Sequence, residues 1–115
     1  MRPADYSWNA DYVGTKIQTT AEGFTIVCDP PIALRWADVA EIVAYKRDLL
    51  TTDHVCVGFR RHGTNDLIET DEELPGFDAL MAAVASRFSL PENWWSDVAF
   101  PAFATNMTRI WSIAP

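Results

Sequence analysis

The chain has little of what announces most chemistries. Among 115 residues there are two cysteines, Cys28 and Cys56, and two histidines, His54 and His62. A zinc site needs three or four convergent ligands, and no Cys-x-x-Cys or His-x-x-x-His pair supplies them, so no metal and no cofactor is expected. The five glycines are scattered at 14, 23, 58, 63 and 76, which leaves no phosphate-cradling loop. No stretch approaches the roughly 18 apolar residues of a membrane span. The first residues hold no apolar run of the secretory kind, so Cys28 and Cys56 are read as structural thiols of a reducing, cytoplasmic compartment. Basic residues are also scarce. Nine Lys and Arg stand against 16 Asp and Glu, a net charge of -7, and neither a phosphate backbone nor an anionic lipid surface is the expected partner.

What is present indicates a folded core, since 49% of the chain is hydrophobic and 12% aromatic. No repeat or linker divides it, so residues 1–115 are read as one domain, with a core from about 15 to 111 and an N-terminal arm, 1–13, carrying Tyr6, Trp8 and Tyr12. Residues 16–20 and 24–28 suit two strands around Ala21-Glu22-Gly23, the second stopped by Pro30 and Pro31. A turn at 36–39 leads into a strand from about 40 to 48, a loop at 49–52 and a strand from 53 to 61. A symmetric hairpin then sets Ile42 opposite Phe59, Ala44 opposite Val57 and Lys46 opposite Val55 on a mostly apolar face. Its other face pairs Glu41 with Arg60, Tyr45 with Cys56 and Arg47 with His54, as in a half-buried antiparallel sheet. A turn at 62–65 precedes a fifth strand, 66–70.

Phe77, Leu80, Met81, Val84 and Phe88 form the stripe of an amphipathic helix after Pro75-Gly76, with its apolar side on the sheet. A short helix over 91–98 and a last strand over 105–113 follow, the latter with Ile110 on one face and Met107 and Trp111 on the other. The Trp36-x-x-Val39-x-x-Ile42 unit, the segment from Ala44 to Asp48, the Pro75-Gly76-Phe77 helix start and the aromatic end resemble small bacterial proteins of the pleckstrin-homology-like class. That resemblance implies an α+β fold: a bent antiparallel sheet, the half-barrel of that class, covered by one helix. Here an aromatic-rich C-terminal extension is added. The early loop, with Lys16 nearly alone, lacks the basic cluster of the lipid-binding members.

For function, Asp53-His54 with Cys56 invites a nucleophile-and-base reading. Two strand residues at i and i+2 are about 6–7 Å apart, however, too far for a base to reach a thiol, and no enzyme activity is expected. The acids are the stronger signal. Asp66, Glu69, Asp71, Glu72, Glu73 and Asp78 lie within 13 residues, and the remainder of the chain is close to neutral. The expected role is a non-catalytic protein-interaction module, in one version an immunity-type protein, presenting Asp66, Glu69, Asp71, Glu72 and Glu73 to a basic protein partner. The alternative is small-ligand binding in an apolar pocket lined by Trp94, Trp95, Phe103 and Trp111.

Overall fold

The computed structural model describes residues 7–8, 16–48, 53–99 and 107–113. The first hairpin pairs β2 (Lys16–Thr19) with β3 (Gly23–Val27), following β1 (Ser7–Trp8) in the chain. Its joint is closed by Thr20, whose N–H donates to the Gly23 carbonyl at 2.8 Å while its hydroxyl accepts from the Gly23 N–H at 3.2 Å. A third strand, β4 (Ile32–Arg35), was not anticipated and completes this sheet on the far side of β3. Glycine is required at the crossing, because a Cβ on Gly23 would lie 2.1 Å from the Leu34 carbonyl oxygen.

A 3-10 turn, Trp36–Asp38, carries the chain into β5 (Val39–Asp48), which pairs with β6 (Asp53–Arg61). The register is the one the symmetric hairpin predicts: Ile42 faces Phe59, Ala44 faces Val57, Tyr45 faces Cys56 and Arg47 faces His54. β7 (Asp66–Asp71) continues antiparallel to β6, with β1 parallel to it at the outer edge. β8 (Thr108–Ser112) flanks β5, giving the order β1-β7-β6-β5-β8. The predicted loop at 49–52 and most of the N-terminal arm lie outside the described residues, as do Phe100, Pro101 and Phe103.

Helix α1 (Phe77–Arg87) buries Phe77, Leu80 and Val84 and half-buries Met81, so the predicted stripe is its core face. Phe88, the last residue of that stripe, has already left the helix with extended backbone angles, yet its ring still enters the core. α2 (Trp94–Ala99) begins three residues later than the sequence suggests, with Val98 fully buried. Lys46 points into the same core and donates from Nζ to the Ala99 carbonyl at 3.0 Å, which satisfies an end of α2 that the helix itself leaves open.

One continuous row of rings joins the parts. Phe59 of β6 meets Phe24 of β3 at 4.9 Å, Phe24 meets Trp36 at 5.8 Å, Trp36 meets Phe88 at 6.1 Å, and Phe88 meets Trp111 at 4.5 Å. Trp111 reaches this row because the last strand departs from the simple alternation predicted for it. Strand alternation places it with Met107, but the β5–β8 register skips Ile110, so Trp111 pairs with Ile42 and Arg109 with Val43. A bulge of this kind shifts every later side chain to the other face. Met107 packs on one face of the sheet, and Trp111 on the opposite one. The α+β class therefore holds: a five-stranded and a three-stranded sheet packed with two helices. No helix among the described residues is long and apolar enough to cross a membrane.

Candidate functional site

The acidic segment is the site the sequence singles out, and the fold divides it. On β7 the side chains of Leu67, Glu69 and Asp71 share the face that carries Tyr45, Cys56 and His54. Sequence alternation makes this the polar, half-solvated side of the sheet. In the structure it is buried: Glu69 is 3% exposed and Asp71 7%. Glu69 accepts the Tyr45 hydroxyl at 2.6 Å. Asp71 faces His54 Nδ1 at 3.0 Å through one oxygen, and through the other accepts the Glu73 N–H at 2.8 Å. Carboxylates buried in this way must be hydrogen-bonded or paired, and these are. Glu41 completes the face, accepting from Arg60 Nε at 3.2 Å and from Arg109 Nε. Glu69 and Asp71 are thus held inside the fold, not presented at its surface.

The remaining acids separate to the two ends of β7. Asp66 is exposed where the strand begins. Glu72 and Glu73 lie six and seven residues on, roughly 20 Å away along an extended chain. Glu73 is exposed and Glu72 half-buried, and with Asp78 of α1 they wall a surface cavity of about 200 Å³ whose other sides are Leu74, Pro75, Gly76 and Phe77. Main-chain bonds fix this turn. Glu72 N–H donates to the Val55 carbonyl at 3.0 Å, the Glu72 carboxylate accepts the Val55 N–H at 2.7 Å, and the Pro75 carbonyl accepts from Ile17 at 2.8 Å. Partial burial raises the Glu72 carboxyl above the ordinary glutamate range, with the Val55 hydrogen bond opposing it. Asp78, which the fold adds to Glu72 and Glu73, lies in the first turn of α1, where a carboxylate favours the helix dipole.

The His54–Cys56 pair gains the third group that the sequence did not indicate. It is Asp71, and its position matters. The Asp71 oxygen that meets His54 also accepts the Cys56 thiol at 3.9 Å, so the carboxylate stands between imidazole and sulfur. A base that activates a thiol must touch it directly. His54 is part-buried at this contact. Cys56 is fully buried and Cys28 half-buried, and neither is in a disulfide. Among the described residues no cluster of three or more His, Cys, Asp or Glu side chains converges to hold a metal ion.

The tail tryptophans are spread over different surroundings. Trp94 packs against the core from α2, Trp111 stacks edge-on against Phe88, and Trp95 is 44% exposed. Phe103 lies outside the described residues. A second cavity, of about 320 Å³, opens on the three-stranded sheet among Thr20, Glu22, Thr25, Ala33, Arg35 and Arg61. Neither cavity is lined by Trp94, Trp95 or Trp111. Comparison of the chain with protein-family models, with curated proteins and with solved structures found no match.

Proposed function

We propose that this chain is a non-catalytic protein-interaction module of pleckstrin-homology-like layout, whose partner is a basic protein met by the acidic turn ahead of α1. Its specific form is an immunity-type protein that blocks a basic toxin. The observation that carries the reading is the turn itself. Glu72, Glu73 and Asp78 surround one shallow cavity with apolar walls, on a backbone anchored to β6 and β2. Fixed charges around a partly apolar patch steer a basic partner and orient it without an ordering cost on binding. Glu69 and Asp71 support that turn from within, and Asp66 is too distant to join it.

The test is charge reversal where it leaves the fold alone. Glu73→Lys and Asp78→Lys change exposed side chains, whereas Glu72→Lys would also break the bond to Val55. Partners captured from the native host by the immobilised chain would be identified by mass spectrometry and their affinity measured over a salt series. The double variant is expected to bind the basic partner at least about tenfold more weakly, with a shallower salt dependence. Glu92→Lys, on an exposed turn elsewhere, serves as the control. Equal loss in the control, or a partner indifferent to Glu73 and Asp78, would sink the proposal.

A further inference from the structure

The cavity on the three-stranded sheet has a charge pattern unlike that of the acidic turn. Its floor is the outward face of β3 and β4, where Gly23, Thr25 and Ala33 are small while Phe24 and Leu34 turn inward to the core. Two guanidinium groups and two carboxylates stand around it. Arg35 and Asp38 are already matched, Nε to Oδ2 at 3.0 Å and Nη2 to Oδ1 at 3.3 Å. Glu22 lies close enough to add its charge to that of Asp38 in keeping Arg35 protonated. Among the described residues the Glu22 carboxylate itself makes no hydrogen bond or ion pair. Arg61 reaches from β6 to the backbone of β4, where Nη2 donates to the Ala33 carbonyl at 3.2 Å. That bond fixes the direction of the guanidinium, and among the described residues the rest of its N–H fork has no acceptor and no carboxylate pairs with it.

Among the described residues, this cavity of about 320 Å³ therefore carries on its walls one guanidinium, Arg61, and one carboxylate, Glu22, that form no ion pair. A simple anion would meet Arg61 but be repelled by Glu22 and Asp38, and a simple cation would meet the reverse. A molecule bearing both charges satisfies both walls. We infer that this cavity binds a small zwitterion of the α-amino-acid class, its carboxylate on the free fork of Arg61 and its ammonium on Glu22. The planar fork of arginine matches a carboxylate in two-point contact. The volume is near the lower end of about 300–1,000 Å³ typical of small-molecule pockets, as a ligand of this size requires. The inference is independent of the acidic turn and stands or falls without it.

The test is a titration of the full ¹⁵N-labelled chain with the standard amino acids, followed by two-dimensional NMR. Acetate and methylammonium serve as probes for the two halves. At millimolar concentration, at least one amino acid should shift the amides of residues 20–25 and 33–35 together with the Arg61 side-chain resonance. Acetate or methylammonium alone should bind at least about tenfold more weakly, each lacking one charge-assisted contact. Glu22→Gln and Arg61→Gln should each lower affinity by a similar factor, with Arg61→Lys recovering part of it. Should Arg61→Gln disturb the fold, visible in near-ultraviolet circular dichroism, Glu22→Gln on its exposed turn decides the matter. Absence of shifts with every amino acid, acetate binding as tightly as any of them, or an unaffected Glu22→Gln variant would each overturn the inference.

Discussion

A carboxylate's role here follows from what surrounds it. Six acids within 13 residues read as one patch, yet Glu69 and Asp71 are committed to Tyr45, His54 and the Glu73 amide. Glu72 lies between these cases, half-buried and bonded to the Val55 N–H, with burial the larger influence on its proton affinity. Because its folded-state affinity for a proton exceeds that of the unfolded chain, protonation favours the native state. Its contribution to stability is therefore greatest below the ordinary glutamate range and falls as pH rises through the raised value. Glu72→Gln keeps an acceptor for Val55 and removes the titration. Urea unfolding at a series of pH values should show the variant's stability profile flatter than the wild type's in that window, and an unchanged slope would refute this. Much of this was legible. Symmetric pairing across the turn at 62–65 puts Glu69 opposite Gly58 and Asp71 opposite Cys56, as observed. What alternation could not show is that the polar face is buried, because a strand with two covered faces and one with a single covered face can carry the same pattern. The cavity on the three-stranded sheet left no sequence signal either, since Glu22 and Arg35 are brought beside Arg61 only where its side chain reaches the Ala33 carbonyl of β4.

At the level of elements, the start of α1 depends on one residue. Gly76 has a φ of 93°, and a Cβ there would lie 2.1 Å from the Ile17 carbonyl oxygen. Gly63 has a similar φ of 81° in the turn after β6 but open space around it. The two positions separate backbone strain from steric contact. Gly63→Ala should cost about 1 kcal/mol, the left-handed penalty alone, and Gly76→Ala about 2–4 kcal/mol once the clash with β2 is added. Denaturant midpoints for both variants check this, and equal losses would mean that β2 yields to the new methyl group. The helix stripe and the β5–β6 register were both readable because each runs over enough residues for its period to repeat. β4 was not, since four residues after Pro30-Pro31 hold no repeat. The facing of Trp111 departs from alternation because the bulge at Ile110 interrupts the two-residue period itself.

For the whole molecule, topology orders the local stabilities. β5 and β6 are central in the five-stranded sheet and contribute residues to both of its packed faces, whereas β4 is a short edge strand. Amide hydrogen exchange should accordingly be slowest in β5 and β6 and much faster in β4, and comparable protection in the two would contradict this account. Charge has a similar geography. The net of -7 arises largely from residues 66–78, and burial withdraws Glu69 and Asp71 from what a partner meets. The row of rings from Phe59 through Phe24, Trp36 and Phe88 to Trp111 has an optical consequence. Its contacts join the two sheets, the end of α1 and the last strand, so each of these junctions contains a pair of aromatic rings. Trp36 and Trp111 lie on either side of Phe88 in an asymmetric, rigid setting, which gives aromatic transitions their ellipticity. Near-ultraviolet circular dichroism would thus report the joining of sheets, helix and last strand in one spectrum, with no label introduced.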